Sequence, residues 1–352
     1  MPVERIARFI GGTTGEGFEA LALDAFAHQY ERQEAYRAVC ERGGATPDTV
    51  RRWEDVPLVP TLAYKRLRLA SEAPREIFRS SGTSAPERSV HHHPYPELYR
   101  RTIEASFPTF ALPTTGTAET PILSLIPSRD QLPDSSLSFM VDHVLATWGD
   151  ATSGYALGRV GVDARKLRAW LAGRQRGGTP GLILTTSLAL LEALDRLERL
   201  GLRFRMPPGS VLFETGGYKG RNREATPDEL LERTQRILGI APDRVVREYG
   251  MTELTSQLYT ASLSGGPADV YVAPDWVRIR VLDAETLAPA PAGEPGLVAI
   301  FDLANLGSAT HVLTEDVGSL SAAGLRLVGR AAGAELRGCS LAAEELTGVG
   351  AG

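Results

Sequence analysis

The sequence has little cysteine, with 2 residues in a chain of 352. Cys40 and Cys339 stand far apart, which excludes a disulfide framework and leaves each thiol to be considered alone. There is also no run of about 18 apolar residues that would span a membrane. The segment Met1–Ile10 carries charges where a signal peptide would have an apolar core. These absences predict a cytoplasmic protein without a membrane partner.

The chain also lacks an excess of basic charge. Its 38 Lys and Arg residues are outnumbered by 43 Asp and Glu residues, giving a net charge of −5 with both signs interspersed. This excludes the basic surface typical of nucleic-acid binders. A content of 43% hydrophobic and 23% charged residues is that of a globular protein. The length suits one large domain or two ordinary ones.

The middle of the chain alternates between short apolar segments and amphipathic ones. The apolar segments have the length of strands, and those between them have helical periodicity: strands at 121–126, 181–186, 210–214 and 245–249, helices at 136–148, 187–200 and 226–238. This alternation predicts an α/β fold with a parallel, helix-covered sheet. Ligands of such sheets bind at the carboxyl ends of the strands.

The two ends of the chain have different patterns. The first 60 residues read as helical, with an apolar periodicity from Phe18 to Cys40. After Leu258, apolar and polar residues alternate at 276–283, 296–302 and 325–329, which predicts a small antiparallel β subdomain. We therefore expect a helical segment at 1–60, an α/β core at 61–260 and a β subdomain at 261–352.

A first motif follows the strand-like segment Glu76–Arg79. It is a loop rich in hydroxyl groups, Ser80-Ser81-Gly82-Thr83-Ser84, with Arg88 shortly after it. Backbone N–H groups and hydroxyls in such a loop can hold a phosphate, glycine permits close approach, and an arginine adds charged hydrogen bonds. On composition alone, an ordinary surface loop is the simpler interpretation.

A second motif, Tyr249-Gly250-Met251-Thr252-Glu253, follows the last strand of the predicted α/β core. A carboxylate beside a hydroxyl suits Mg²⁺ held together with substrate phosphates, which makes Glu253 the candidate metal ligand. The alternative is the first turn of a helix, with Thr252 as its cap and Glu253 favoured by the helix dipole.

Together the two motifs resemble those of the adenylate-forming superfamily of acyl-CoA synthetases, luciferases and nonribosomal adenylation domains. A third segment, Thr314 to Gly318, is similar to the one whose aspartate binds ribose, a role that falls on Asp316. A fourth, starting at Gly329-Arg330, resembles the hinge before the superfamily's small domain. The resemblance implies ATP and Mg²⁺ as cofactors, with Gly216-Gly217 beneath the adenine and Tyr249 stacked on it. Arg330 joins the nucleotide-binding candidates.

A narrower resemblance is to the LuxE-type acyl-protein synthetases, carried by Phe213–Arg221 and Arg337–Leu341. That family forms an acyl-adenylate and then a thioester on a cysteine near its C-terminus, which implies that Cys339 accepts the acyl group. The chain ends soon afterwards, so we expect the superfamily's small C-terminal domain to be truncated or absent. An acyl-accepting reductase or carrier protein is the expected partner.

Three further sites stay open in the sequence. Lys219 is a candidate to replace the catalytic lysine of the small domain, although a surface lysine is as good an interpretation. His143 falls where the superfamily places a group near the acyl carboxylate, although a core histidine is the simpler interpretation. The run His91-His92-His93 reads as a strand, since adjacent side chains diverge and make a poor metal site. An acyl pocket would draw on a set of apolar and aromatic residues: Met140, Trp148, Tyr155 and Leu184.

The sequence therefore predicts activation of a carboxylic acid, fatty or otherwise hydrophobic, and its transfer to a thiol. Two alternatives remain. One is an acid–CoA or acid–carrier-protein ligase, and the other is a non-catalytic relative that binds an acyl group or nucleotide in an assembly.

Overall fold

A computed structural model describes residues 1–80, 88–113, 119–158, 161–216 and 225–331. The described residues fall into two compact units. Unit 1 comprises those of Met1–Ala105, Met251–Gln257 and the chain from Val272 onward, and unit 2 those of Ser106–Gly250 and Leu258–Tyr271. This grouping differs from the three consecutive segments expected from the sequence, because the N-terminal helices and the late strands share one unit.

The α-helices of the described residues run in chain order as follows: α1 (Pro2–Ile10), α2 (Phe18–Arg32), α3 (Glu34–Arg42), α4 (Pro96–Ala111), α5 (Ser136–Trp148), α6 (Ala164–Gly177), α7 (Ser187–Arg199) and α8 (Pro227–Leu238). Among the described residues, no helix has both the length and the apolar character needed to cross a bilayer.

The strands of the same residues are β1 (Val59–Pro60), β2 (Glu76–Arg79), β3 (Val90–His93), β4 (Ile122–Ser124), β5 (Gly154–Tyr155), β6 (Leu157–Gly158), β7 (Gly161–Val162), β8 (Leu182–Thr186), β9 (Val211–Thr215), β10 (Val245–Tyr249), β11 (Leu258–Thr260), β12 (Val270–Val272), β13 (Val277–Leu282), β14 (Gly296–Asp302), β15 (His311–Ser321) and β16 (Gly324–Arg330).

Unit 2 contains the parallel sheet that the sequence predicts. Strands β10, β9, β8, β4 and β5 lie side by side and are all parallel, and β11 joins the edge of β10 antiparallel. The residues of β9 are all buried, and so are the first four of β8. Strands covered on both faces need such continuous apolar runs, which explains why these segments do not alternate.

Helices of unit 2 cover this sheet, and capping side chains and glycines set where a helix begins and ends. The Thr226 hydroxyl accepts a hydrogen bond from the Glu229 N–H (3.1 Å) and so caps the start of α8, within the helix predicted at 226–238. Gly239 ends α8 in the left-handed conformation with φ of 71°. Leu194 of α7 and Ile237 of α8 are fully buried in the same core cluster. Truncating either to alanine would cost about 2–5 kcal/mol of folding free energy.

Unit 1 contains an antiparallel sheet in which β13, β14, β15 and β16 are neighbours in that order. The predicted antiparallel β subdomain is therefore present, with β15 much longer than the motif that the sequence singled out. Strand β1 adds to β15 in parallel, and β2 pairs with β3 in a separate antiparallel ribbon.

The N-terminal helices of unit 1 pack on the connection that follows β14. The expected helix from Phe18 to Cys40 is broken at Gln33, whose backbone is extended. The Gln33 side chain instead donates to the Ser308 carbonyl (2.5 Å), and the Gln29 side chain donates to the Asn305 carbonyl (3.1 Å). Both glutamines are buried, so these bonds replace the water that their amide N–H groups would otherwise bind.

Candidate active site

The base of the hydroxyl-rich loop is closed by hydrogen bonds next to the β2–β3 ribbon. The Ser80 N–H donates to the Ser89 carbonyl (3.0 Å), and the Ser80 hydroxyl accepts from the Ser89 N–H (3.0 Å). The phosphate-binding candidates Ser81, Gly82, Thr83 and Ser84 lie outside the described residues. The ribbon therefore fixes the positions of Ser80 and Ser89, on either side of this loop.

Arg88 is exposed and lies at that base. Its guanidinium donates to the carbonyls of Ser80 and Arg79, the latter at 3.2 Å. These bonds tie the two ends of the loop together, a structural use that the sequence did not suggest. Its predicted contact with phosphate stays a prediction.

The three histidines form β3, as predicted, and their side chains alternate in direction. His91 and His93 are buried with ring centroids 4.9 Å apart, whereas His92 on the other face is half-buried. Burial lowers the pKa of His91 to about 4, so the ring is neutral at physiological pH. Each buried ring bonds to the segment 252–255: His91 to the Thr252 carbonyl (2.7 Å) and His93 to the Thr255 hydroxyl (3.0 Å).

Thr252 and Glu253 lie in a turn between Met251 and Leu254, not in a helix. The alternative in which Thr252 caps a helix is therefore wrong: main-chain groups of this segment bond to side chains, whereas a capped helix would pair them with one another. Glu253 is 7% exposed, and its carbonyl accepts from the Asn305 amide (2.8 Å). The turn thus holds a carboxylate and a hydroxyl at adjacent positions.

The Glu253 carboxylate and the Thr252 hydroxyl are chemically suited to bind Mg²⁺. The ion prefers oxygen ligands and commonly takes one or two protein carboxylates, with phosphate oxygens and water completing its shell. Glu253 supplies such a carboxylate and Thr252 a hydroxyl. Among the residues that the structure describes, no three His, Cys, Asp or Glu side chains gather as a metal cluster.

Asp316 and Arg330 are partners across the β15–β16 ladder. They occupy paired positions, and the Arg330 guanidinium donates to the Asp316 carboxylate (3.1 Å). The Asp316 side chain is 15% exposed and that of Arg330 is 54% exposed. Glu315 adds a longer ion pair with Arg330 at 3.7 Å. Two candidates taken from separate sequence segments therefore lie together at one place in unit 1.

Unit 2 gathers polar side chains at the carboxyl ends of β8, β9 and β10. The Ser187 hydroxyl lies within hydrogen-bond distance of the Glu214 carboxylate and of the Gly216 carbonyl, the latter at 2.6 Å. The Thr215 hydroxyl donates to the Glu248 carboxylate. Gly216 has φ of 72°, a conformation that favours glycine, and it is exposed. The other half of the predicted glycine pair, Gly217, lies outside the described residues.

No role was expected for Glu214 and Glu248 from the sequence. Both are buried, and a glutamate near the carboxyl end of each of two parallel strands was the signal that could have found them. Arg247 pairs with Glu214 at 3.4 Å. Burial raises the pKa of the nearby Tyr271 hydroxyl to about 12, which Arg247 opposes and the two glutamates reinforce.

Tyr249, the predicted adenine-stacking residue, is the last residue of β10 and is 8% exposed. Its ring lies 5.9 Å from that of Tyr271. Gly250 follows at an exposed position, where an added Cβ would come within 2.1 Å of the Glu248 carboxylate. A side chain at this position would therefore displace the end of the Glu248 side chain.

The acyl-pocket candidates lie in unit 2. Met140 and Leu184 are buried, and Trp148 stacks on Phe107 with centroids 5.6 Å apart. The hydroxyl of half-buried Tyr155 donates to the Asp142 carboxylate. His143 is half-buried on α5. Two other catalytic candidates, Lys219 and Cys339, lie outside the described residues.

Comparison with solved structures identifies the fold. A 2-hydroxyisobutyryl-CoA ligase in an open conformation, in complex with 2-HIB-AMP and CoA, superposes with a TM-score of 0.62 at 14% identity. The match covers 89% of this chain and 74% of that one. ATP-bound MatB from Rhodopseudomonas palustris superposes with a TM-score of 0.50 at 14% identity, covering 85% of this chain and 57% of MatB. The protein has the fold of the adenylate-forming ligases.

Sequence comparison narrows this class. The family described as acyl-protein synthetase, LuxE, matches residues 185–347. A long-chain-fatty-acid–luciferin-component ligase from Vibrio harveyi is 24% identical over 311 residues, covering 85% of this chain and 78% of the relative. The predicted likeness to LuxE-type acyl-protein synthetases is confirmed.

Proposed function

We propose that this protein is an adenylate-forming ligase, which activates a carboxylic acid with ATP as an acyl-adenylate and then transfers the acyl group to a thiol. The observation that carries the proposal is the turn at Thr252–Glu253. Buried hydrogen bonds to its main-chain carbonyls hold this turn, which carries two oxygen ligands, a hydroxyl and a carboxylate. The chain has the fold of such ligases, and part of its sequence matches the LuxE family.

In the first step, a carboxylate oxygen attacks the α-phosphorus of ATP, and pyrophosphate leaves. Such in-line displacement needs positioning and charge neutralisation more than covalent help. Asp316 would bind the ribose hydroxyls, while Gly216-Gly217 and Tyr249 would bind the adenine. The loop Ser80–Ser84 would hold the phosphates.

Several charged groups would share the neutralisation in that step. Arg88 and Lys219 are the basic candidates for the phosphate oxygens, and Arg330 would hold the Asp316 carboxylate in place. Mg²⁺ bound by Glu253 and Thr252 would neutralise phosphate charge. His143 remains the candidate near the acyl carboxylate.

In the second step, a thiolate attacks the acyl carbon, a thioester forms and AMP leaves with the electrons of the broken anhydride bond. We propose Cys339 as the thiol, within the part of the chain that the LuxE family matches. The only other cysteine in the sequence is unsuited, since Cys40 is fully buried and burial raises its pKa to about 12.

A relative supports the choice of acid, and the final acceptor is proposed from the resemblance to the LuxE-type synthetases. The Vibrio harveyi relative is named for a long-chain fatty acid, and we propose a fatty or similarly hydrophobic acid here. The acyl group would pass from Cys339 to a partner reductase or carrier protein. The expected cytoplasmic location stays a prediction.

The test is an assay of the purified protein with ATP, Mg²⁺ and radiolabelled acids of increasing chain length. We expect AMP release and label on the protein that hydroxylamine removes. Cys339→Ser should abolish that label, whereas the matched control Cys40→Ala should retain it.

Other outcomes separate the alternatives. AMP release that requires CoA or a carrier protein, with no label on the protein, identifies an acid–CoA or acid–carrier-protein ligase. No AMP release with any acid refutes catalysis and leaves a binding protein.

A further inference from the structure

The turn that carries Thr252 and Glu253 is held mainly by side chains. Main-chain groups of residues 252–256 bond to side chains from β3 and from the 3₁₀ segment Leu303–Gly307 with its flanking residues. Every residue involved belongs to unit 1. Buried peptide groups need such partners, because leaving one unpaired costs about 1–3 kcal/mol.

Asn305 is the centre of these bonds and is 1% exposed. Its amide nitrogen donates to the carbonyls of Glu253 (2.8 Å) and Ala309 (2.7 Å). Its amide oxygen accepts from the Thr255 hydroxyl (2.7 Å). Because two carbonyls face the nitrogen, the amide has one acceptable orientation.

His91 holds the preceding carbonyl. Its Nδ1 lies 2.7 Å from the Thr252 oxygen, which can only accept, so Nδ1 carries the proton. The other ring nitrogen then accepts from the Ser308 hydroxyl (2.8 Å). The ring is therefore fixed from both sides in one tautomer.

The carboxylate of Asp302 holds the far side of the turn. It accepts from the N–H groups of Thr255 (3.0 Å) and Ser256 (2.7 Å), and from the Ser256 hydroxyl (2.7 Å). Asp302 is fully buried. The turn is thus fixed at its start by His91 and Asn305 and at its end by Asp302.

The two carbonyls held at the start belong to the two peptide planes that flank the Glu253 Cα. A peptide unit is planar, so fixing both planes fixes φ and ψ of the residue between them, and with these the direction of its Cα–Cβ bond. The bonds from His91 and Asn305 therefore determine the direction in which the Glu253 side chain leaves the backbone.

We propose that His91 and Asn305 are positioning residues, which aim the Glu253 carboxylate by holding the carbonyls of Thr252 and Glu253. The inference rests on the proposed function, in which the aimed carboxylate binds Mg²⁺ held together with ATP. Partners that orient metal ligands without touching the metal are worth about 10–100-fold in metal affinity.

The experiment compares two buried histidines that make the same kind of bond. His91→Leu removes the bond to Thr252. His311→Leu is the matched control, because His311 is 1% exposed and its Nδ1 lies 2.7 Å from the Val56 carbonyl, away from the turn. His91→Asn restores an amide donor at the position of Nδ1, and Asn305→Asp replaces the donor to Glu253 with an acceptor.

The readout is ATP binding by titration calorimetry, without acid, at a series of Mg²⁺ concentrations, on variants whose circular dichroism shows a folded chain. We expect His91→Leu and Asn305→Asp to weaken the Mg²⁺-dependent part of ATP binding about 10–100-fold. Binding without Mg²⁺ should not change. His91→Asn should recover much of the loss, and His311→Leu should bind as the wild type does.

Each contrary result has one meaning. If His91→Leu binds Mg·ATP like the wild type, or if His311→Leu loses as much, His91 has no positioning role. If the wild type itself fails to bind Mg·ATP, the proposed function is what fails. Should leucine at 91 prevent folding, His91→Gln makes the same comparison, because its amide reaches the Nε2 position and leaves the Thr252 carbonyl unpaired.

Discussion

Lowering the pH from 7 to 5 is expected to destabilise unit 1 through His311. This ring is buried against Trp53 and Phe301, with centroids at 5.9 and 5.3 Å, and its Nδ1 bonds to the Val56 carbonyl. The charged group that acts on this ring is Arg280. Its guanidinium donates to the Glu54 carbonyl, and the negative charges of Glu54 and Asp55 also interact with it. Burial first, and Arg280 second, lower the pKa of His311 to about 3.

The sign and size follow from proton linkage. An unfolded histidine titrates near pH 6.5, so between pH 6.5 and pH 3 the unfolded chain binds a proton that the folded chain does not. The free energy of unfolding therefore falls as the pH falls through this window. At pH 5 the unfolded ring is almost fully protonated, and the loss relative to pH 7 is about 2 kcal/mol.

The assay is urea denaturation at pH 5, 6, 7 and 8, followed by tryptophan fluorescence, since Trp53 contacts His311 directly. His311→Asn keeps a donor for the Val56 carbonyl and cannot be protonated. Its free energy of unfolding should be about 2 kcal/mol less sensitive to the change from pH 7 to pH 5 than that of the wild type. Equal pH dependence in the two proteins would show that His311 is not neutral in the folded state.

Substitutions at three positions test other features. Gly216→Ala should lower the free energy of unfolding by about 1–2 kcal/mol, because φ is 72° there, and among the described residues beyond its chain neighbours no atom would lie within 4 Å of the new methyl group; an unchanged urea midpoint would contradict this. Thr226→Ala removes the cap of α8 and should cost about 1 kcal/mol, whereas Thr226→Ser should cost little. Asp316→Asn should weaken ATP binding by about tenfold in calorimetry. Its urea midpoint should hardly move, because the partner Arg330 is half exposed; a large loss of stability with unchanged ATP binding would make Asp316 structural.

The parts of the fold that could be predicted are those set by local chemistry. Helix α7 has apolar residues at a clear helical spacing. Thr226, a residue type that caps helices, marks the start of α8 four residues before its first buried leucine, Leu230. The break at Gln33 could not be predicted, because it depends on a hydrogen bond to Ser308 from a distant part of the chain. The extent of β15 likewise depends on its neighbours β14 and β16.

The candidate site divides in the same way. Motif spacing found Asp316 and Arg330 separately, but only strand pairing shows that they are partners. Thr252 could be interpreted as a helix cap, because a threonine in a local sequence pattern does not reveal which distant side chains its segment bonds to. The role of Asn305 could not be predicted, since a single asparagine in a short segment has no periodicity, and its partner Glu253 lies 52 residues away.

The bonds of Gln29 and Gln33 to residues 305–308 also have a consequence for how the protein is made. These contacts join residues 276 and 275 positions apart, and the intervening chain includes all of unit 2. During synthesis, the described strands of unit 2 leave the ribosome before β13 to β16 exist. The apolar faces of helices α1 to α3 therefore lack their later packing partners during this interval, since contacts between distant residues form late and slowly. The N-terminal residues that contact residues 305–308 thus complete their packing late, and apolar surface exposed until then favours aggregation.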